Sequence, residues 1–300
     1  MGAPIVAPLM LLMLRRRRFP RLVGAATASL VGVAGLALAP PAALAATGHG
    51  YDVSWPQCGR SLPSDGDFRI VGVNGGKPYT ENECLAAQYQ WARGAAAVAF
   101  YLNTANPGPG ITAVDWYGQT SPHTGCSPSN EPACVFNYGY HGARLAFEYA
   151  QSQTGAAFRH SWWLDVETAN SWAPHGPLNA FSIAGATEFL RSRGVPVGVY
   201  STDYQWRLIT GGAHLPEHFN WVAGARTGGE AASWCGPGSS FTGGPVMLVQ
   251  WVQHDLDHNI ACAPLPAGPA GPAATPGPAA TQDPLQASLL QLLRGLGLAP

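Results

Sequence analysis

Short β-like runs alternate with helical patterns along residues 50–251 of this 300-residue chain. Apolar, β-branched and aromatic runs predict strands at residues 50–54, 69–74, 96–102, 161–166, 195–200, 220–223 and 246–251. Helical patterns fall between them, at residues 81–93, 138–153, 179–193 and 203–209, and glycine follows several of these segments, where helices usually stop. This alternation predicts an α/β fold with a mainly parallel sheet. Seven or eight strands in one domain favour a single TIM-barrel-like (β/α) barrel over an open sheet.

The first 45 residues have the pattern of an export signal. Four arginines at 15–18 precede an apolar stretch rich in Gly and Ala, and Ala43-Leu44-Ala45 is a small-residue cleavage site. We therefore expect a signal peptide within residues 1–45. An apolar segment ahead of the basic cluster is unusual, so we also hypothesise that translation starts at Met13 rather than at Met1. A transmembrane anchor is the alternative, disfavoured because glycines interrupt the stretch. Sec and twin-arginine export both stay open.

Removal of this leader changes the charge and indicates the compartment. Five of the 16 basic residues lie in the first 21 positions and no acidic residue precedes Asp52, so 11 basic and 17 acidic residues remain, about −6 in total. Such a balance gives no electrostatic basis for binding nucleic acid. Six cysteines follow the leader, which indicates disulfides and a protein that is secreted or associated with the cell wall. Among 15 connectivities, we favour local pairs: Cys58 with Cys84, Cys126 with Cys134, and Cys235 with Cys262.

Residues 263–300 are rich in Pro, Ala and Gly and contain no aromatic residue. Such a segment cannot bury enough apolar surface to fold alone, so we expect a flexible tail. The folded domain is then expected to span residues 46–262, a length that suits one large domain. We expect this domain to be monomeric, without stable membrane insertion once the signal is cleaved.

Carboxylates are scarce in this chain, in which charged residues make up 11%, yet several fall at strand ends. Asp165 and Glu167 are two residues apart, so an extended strand directs both side chains to the same side. Asp52 lies in the first predicted strand, and Asp255 and Asp257 follow the last. In a barrel these groups converge at one end, where proximity raises pKa values and suits a general acid. The structural alternative is that Asp52 and Asp255 are turn residues.

Paired carboxyl groups are the usual equipment for glycoside hydrolysis. The aromatic content agrees with a sugar ligand, since 29 of the 30 aromatic residues fall between Tyr51 and Trp251. Most belong in the core, and a few can stack against sugar rings. His254 and His258 are four apart and could hold a metal on a helix, but no third ligand is near, so we expect neither metal nor cofactor. No G-x-S-x-G elbow supports Ser-His-Asp catalysis.

A series of short motifs recurs in a characteristic order. They are Asp52-Val53-Ser54 with Gln57, Leu164-Asp165-Val166-Glu167, Val199-Tyr200-Ser201 with Trp206, Gln250-Trp251, and Asp257-His258-Asn259. Their order and spacing resemble the family 25 glycoside hydrolases, the Chalaropsis-type lysozymes, in a divergent branch close to secreted actinobacterial proteins.

The resemblance implies a muramidase that cleaves the β-1,4 link between N-acetylmuramic acid and N-acetylglucosamine in peptidoglycan. Carried over by position, Glu167 is the proton donor, and Asp165, Asp52 and Asp257 line the cleft and stabilise the transition state. The expected substrate contacts are Tyr101, Trp163, Tyr200, Trp251 and Asn259. One departure is Asn74-Gly75-Gly76-Lys77, which stands where the family usually has an acidic residue. A catalytically inactive protein that binds cell-wall glycan on the same fold is therefore the alternative function.

Overall fold

A computed structural model of the protein describes residues 48–108, 122–123, 126, 131–174, 176–269 and 271. In this part of the chain eight strands close into a barrel, each pairing with its neighbours in sequence, which confirms the predicted α/β barrel. The strands are β1 (Gly48–Val53), β2 (Phe68–Gly72), β3 (Ala97–Asn103), β4 (Ser161–Asp165), β5 (Val197–Ser201), β6 (Phe219–Ala225), β7 (Val246–Gln253) and β8 (Leu256–Ala261).

Strands β1 to β7 run parallel, whereas β8 is antiparallel to both β7 and β1. The sequence pattern predicts seven of these strands and misses β8, in which three consecutive polar residues, Asp257, His258 and Asn259, interrupt the apolar pattern. His254 and Asp255 form the two-residue turn between β7 and β8, with φ angles of 52° and 58°. These angles are typical of the tight type I′ hairpin turn. Asp255 is therefore a turn residue.

Five α-helices follow strands β2 to β6 in order within the described residues. They are α1 (Leu85–Ala92), α2 (Pro132–Thr154), α3 (Gly176–Ser192), α4 (Asp203–Thr210) and α5 (Gly228–Ser233). Helix α1 begins later than predicted because the Asn82 side chain accepts the backbone N–H of Cys84 at 3.0 Å and closes a turn there. Helix α2 begins earlier, at Pro132, where the missing N–H costs no intrahelical hydrogen bond. The short helix α5 is absent from the prediction.

Apolar side chains form one layer on the inner face of the barrel wall and another on its outer face. The inner layer fills the barrel with side chains that include Phe68, Ile70, Trp163, Trp221 and Leu248. The outer layer packs the strands against the helices. Gly198 in β5 makes room for the inner layer, because a Cβ atom there would lie 2.2 Å from the Trp163 ring. The interior is thus a packed core up to the level at which polar side chains begin.

Helices α2 and α3 pack closely through two glycines. A Cβ atom at Gly139 would lie 1.8 Å from the Ser182 carbonyl oxygen, and one at Gly185 would lie 2.0 Å from the Phe136 carbonyl oxygen. The two helix backbones are therefore in direct contact at these glycines. Close packing of this kind leaves no room for a side chain at either glycine.

The cysteines form the three predicted pairs, Cys58 with Cys84, Cys126 with Cys134, and Cys235 with Cys262. Beyond the last of them, Ala263 and Leu265 pack against the inner layer. The Gly268 N–H also donates to the Arg159 carbonyl at 3.0 Å. The described part of residues 263–300 thus runs along the barrel, and the boundary at residue 262 stays a prediction.

The predicted signal peptide, residues 1–45, lies outside the described residues. Among the helices that are described, none has the length and hydropathy that crossing a bilayer requires.

Candidate active site

Four carboxylates gather at the end of the barrel where the parallel strands finish. Asp52 lies in β1, Asp165 is the last residue of β4, and Glu167 follows two residues later. Because β8 runs the opposite way, its beginning lies at this same end, and Asp257 pairs directly with Asp52 across the strands. The structure therefore brings together the four residues that the sequence singles out.

The four carboxylates differ in exposure. Asp52 and Asp165 are each only 5% exposed, whereas Glu167 and Asp257 are partly exposed. A ligand entering this end of the barrel meets Glu167 and Asp257 first. The two buried carboxylates lie behind them, where they act on the electrostatics of the site.

Asp52 is held by two amide side chains. Gln250 Nε2 donates to Asp52 Oδ2 at 3.0 Å, and Asn259 Nδ2 donates to the same oxygen at 2.6 Å. Each amide is oriented in turn by a donor on its oxygen: the Tyr200 hydroxyl at 2.8 Å from Gln250 Oε1, and Trp221 Nε1 at 2.7 Å from Asn259 Oδ1. An indole N–H can only donate, so Trp221 fixes the Asn259 amide with its nitrogen toward Asp52.

The environment of Asp52 favours its protonated form. Burial raises the pKa of Asp52 to about 8, and the Asp257 carboxylate adds to the rise, while the two amide hydrogen bonds oppose it. Loss of hydration disfavours the charged form of a buried carboxyl group more than two neutral donors can restore. Near neutral pH, Asp52 therefore holds a proton that the same group in an unfolded chain would release.

We expect the protein to lose stability as the pH rises from about 4 to about 8, and Asp52→Asn to remove part of that loss. The pKa of Asp52 is 3.8 in the absence of the fold and about 8 within it. Between these values the folded state binds more protons than the unfolded state, so the free energy of unfolding falls as the pH rises. Below the lower value both states are protonated and the stabilising contribution is complete.

The measurement is the Tm at pH 5 and at pH 8. We expect the wild-type Tm to fall between these pH values by at least about 3 °C more than that of the variant, since about 1 kcal/mol corresponds to 2–4 °C in a domain of this size. The asparagine oxygen can accept both amide hydrogen bonds, so the variant keeps the local geometry. An equal fall in Tm for the wild type and for Asp52→Asn would contradict the assignment of a raised pKa to Asp52.

Asp165 is anchored by polar residues that the sequence analysis does not single out. Asn103 Nδ2 donates to Asp165 Oδ2, and Thr104 Oγ1 donates to the Asp165 carbonyl at 2.6 Å. Burial, followed by the charge of Glu167, raises the pKa of Asp165 well above its ordinary value. Asn103 is the last residue of β3, beside Asp165 in the adjacent strand. This paired position is the signal that could have identified it.

Glu167 shares a hydrogen bond with Asp165, as their spacing along the strand predicts. Burial is the main cause that raises the pKa of Glu167, and the Asp257 charge acts the same way, while hydrogen bonds with Tyr200 and Asp165 lower it. Burial also raises the pKa of Asp257. Glu167 thus combines access to a ligand with a raised pKa, which is what a general acid requires.

Three of the five expected substrate contacts need correction. Trp163 has no exposed surface and fills the barrel below the carboxylates. Asn259 is also fully buried and uses its amide on Asp52 and Trp221. Trp251 lies on the outer side of β7, where its ring stacks on His258 with centroids 5.1 Å apart. None of the three can touch a ligand in the site, whereas Tyr101 and Tyr200 are partly exposed within it.

His254 and His258 lie on the β7–β8 hairpin, so the helical spacing considered for a metal does not apply. Among the described residues, a cluster of suitable metal-ligand types occurs at Cys58, Cys84 and Glu83, where the two sulfurs are joined in a disulfide. A disulfide sulfur lacks the thiolate charge that binds metals.

Comparisons with known proteins agree with the predicted resemblance. A family model described as "Lysozyme-like protein 1" matches residues 139–231, which include Asp165 and Glu167. Among solved structures, a family GH25 lysozyme from Aspergillus fumigatus is 14% identical, with 72% of this chain and 94% of that chain covered and a TM-score of 0.43. The catalytic domain of endolysin ply40 from bacteriophage P40 of Listeria monocytogenes is 12% identical, with 71% and 92% covered and a TM-score of 0.38. No curated protein matches. Over the residues that the family model matches, the chain is thus similar to lysozyme-like proteins.

Proposed function

From this resemblance to family 25 lysozymes, we propose that the protein is a glycoside hydrolase that cuts peptidoglycan at the β-1,4 link between N-acetylmuramic acid and N-acetylglucosamine. The observation that carries the proposal is the cluster of Asp52, Asp165, Glu167 and Asp257 at the C-terminal end of the barrel strands. This end is where α/β barrels carry their catalytic residues.

In the proposed reaction Glu167 is the general acid. Its proton passes to the glycosidic oxygen as the bond from that oxygen to the anomeric carbon breaks, and the sugar leaves as an alcohol. The positive charge that develops at the anomeric carbon is stabilised by the nearby carboxylate of Asp257. Water supplies the hydroxyl group that completes the new reducing end, and its remaining proton returns to Glu167.

The buried carboxylates support this exchange from below. Asp165 and Glu167 are hydrogen-bonded to each other and burial raises the pKa of both, so the pair holds a proton before a ligand arrives. Two interacting acids of this kind titrate as a pair. We propose that Asp165 shares this proton with Glu167, while Asp52, fixed by Gln250 and Asn259, forms the polar floor of the cleft.

Product analysis of digested cell walls tests this proposal. Purified peptidoglycan is incubated with the protein, the soluble fragments are reduced with borohydride, and the reduced sugar is identified by mass spectrometry. A muramidase places the new reducing end on N-acetylmuramic acid, so muramitol is expected. A reduced N-acetylglucosamine end would contradict the assigned bond.

The second candidate is a protein that binds cell-wall glycan without cutting it. The observation that favours it is Asn74, at the position where the family usually has an acidic residue. Its side chain is buried and structural: Nδ2 donates to the Thr80 carbonyl at 3.2 Å, and Oδ1 accepts the Asn103 N–H at 2.9 Å. Sedimentation of the protein with cell walls, without soluble products, would support this candidate and overturn hydrolysis.

We also propose that the protein acts outside the cytoplasm. Three disulfides support this, because such bonds persist in oxidising compartments and are rare in the cytosol. Peptidoglycan lies in the same compartment. Detection of the processed chain in culture medium or in the wall fraction tests the location, and retention in the cytosol would contradict it.

A further inference from the structure

Beside the four carboxylates, the loops after β1, β2 and β4 form a second feature that the reaction above does not use. Trp55, which follows β1, is 49% exposed. Lys77 lies on the loop between β2 and α1, is exposed, and is the single lysine of the sequence. We propose that Trp55 and Lys77 form a subsite in which the indole stacks on a sugar ring and the ammonium pairs with a carboxylate carried by the glycan.

The position of Trp55 depends on a glycine. Gly76 has a φ angle of 82°, and a Cβ atom there would lie 2.7 Å from Trp55 Nε1. The indole edge therefore rests against a bare backbone, which a side chain would push away. An indole supported in this way at the rim of a polar cleft provides a rigid apolar surface for a sugar ring.

Lys77 lines a small cavity on the same side of the barrel. The cavity has a volume of about 120 Å³ and is otherwise lined by uncharged residues, namely Gly76, Pro78, Ala105, Pro107, Tyr138, Ala169, Asn170 and Ser171. Ligand pockets for whole small molecules are usually about 300 Å³ or larger. The cavity therefore fits a substituent of a sugar, with one cation in its lining.

The charge of Lys77 is available to a ligand. Among the described residues, no carboxylate forms an ion pair with its ammonium group. The loop that carries it is ordered by hydrogen bonds, since Thr80 Oγ1 donates to the Lys77 carbonyl at 2.6 Å and accepts the Gly75 N–H at 3.0 Å. A cation held in this way attracts an anionic group carried by a ligand.

The cavity is tied to the catalytic end through Asn170. Asn170 Nδ2 donates to the Asp165 carbonyl at 3.2 Å, and the Asn170 N–H donates to the Glu167 carbonyl at 3.0 Å. The cavity therefore lies next to the segment that carries Asp165 and Glu167, and we assign the group bound there to a sugar near the glycosidic oxygen that Glu167 would protonate. The inference rests on the proposed function for the identity of the glycan. In peptidoglycan the carboxylate is that of the lactyl group of N-acetylmuramic acid or of the peptide attached to it.

Calorimetric binding to the full-length Glu167→Gln protein tests the subsite without turnover. The probes are a peptide-free tetrasaccharide of alternating N-acetylglucosamine and N-acetylmuramic acid, the same tetrasaccharide with its peptides, and chitotetraose, which has no carboxylate. Adding Lys77→Gln is expected to weaken binding of a carboxylate-bearing probe about fivefold and to leave chitotetraose within twofold. Lys77→Arg should restore most of the affinity, and Trp55→Ala should weaken all three probes alike.

These binding experiments distinguish the source of the carboxylate, and they separate the proposed subsite from the proposed hydrolysis. A loss with the peptide-free probe assigns the lactyl group, and a loss confined to the peptide-bearing probe assigns the peptide. Arg93→Gln, which removes an exposed charge at the residue after α1, is the matched control and should change nothing. Equal losses on chitotetraose, or no loss on either carboxylate probe, would overturn the subsite. If the wild type binds selectively through Lys77 but releases no fragments, the subsite stands and hydrolysis fails.

Discussion

Replacing Glu167 by glutamine is expected to slow the release of soluble fragments from purified cell walls by at least about 100-fold. A positioned general acid contributes a factor of about 10² to 10⁴ to a reaction rate. The glutamine side chain keeps the size and the hydrogen-bonding capacity of the protonated acid but has no proton to transfer to a leaving oxygen. The measurement is the initial rate of wall clearing or of reducing-end release at matched protein concentrations.

Glu148→Gln is the matched control for this variant. Glu148 lies on α2, its side chain is 55% exposed, and its partner is Arg144 at 3.1 Å. This substitution removes a glutamate of the same kind outside the cluster, and an exposed ion pair contributes little to stability. Equal clearing by wild type and Glu167→Gln would show that Glu167 is not the acid.

The pH dependence gives a second test of Glu167. Because burial and the Asp257 charge raise the pKa of Glu167, its acid form persists above the ordinary range of a glutamate. The rate of hydrolysis should therefore fall as the pH rises through that raised pKa, where the acid loses its proton. If the rate of hydrolysis stayed constant as the pH rises through this range, a single carboxyl group could not be the general acid.

Gly139→Ala is expected to lower the free energy of unfolding by about 3 kcal/mol or more, the upper end of what overpacking costs. A Cβ atom at this position would lie 1.8 Å from the Ser182 carbonyl oxygen, which belongs to the backbone of α3 and cannot rotate away. Helices α2 and α3 must separate to admit the methyl group. Urea denaturation of the two proteins measures the difference.

Gly142→Ala, in the same helix, provides the control. A Cβ atom there would lie 3.6 Å from the Tyr79 ring, an ordinary contact. Alanine favours a helix over glycine by about 0.5–1 kcal/mol, so this variant should be as stable as wild type or more stable. If both variants shift the urea midpoint equally, the close approach at Gly139 is not what limits the packing of the two helices.

The sequence predicts the barrel well because alternating strands and helices admit few topologies. It also predicts the pairing of Asp165 and Glu167, since period two places them on one side. It does not reveal which side of a strand faces inward. Trp251 follows Gln250 directly, so when Gln250 points into the barrel toward Asp52, Trp251 must point out.

The sequence also does not show how deep in the barrel an inward-facing residue lies. Trp163 shares the inward face with Asp165 but lies one layer lower, in the packed interior. Strand β8 escapes detection because two of its inward positions, Asp257 and Asn259, serve the site rather than the core. The alternation of apolar and polar residues on which strand prediction depends is therefore missing in the strand that supplies two residues of the site.

Closure of the barrel by β8 has a consequence for when the site comes into being. Asn259 reaches Asp52 across 207 positions of the chain, and Asp257 pairs with Asp52 directly. Such a contact closes a long loop and forms only once both ends of the domain are available. A chain still emerging from a ribosome or a translocation channel holds Asp52, Asp165 and Glu167 without the strand that completes them. The complete cluster of four carboxylates therefore requires the whole domain, from β1 to β8.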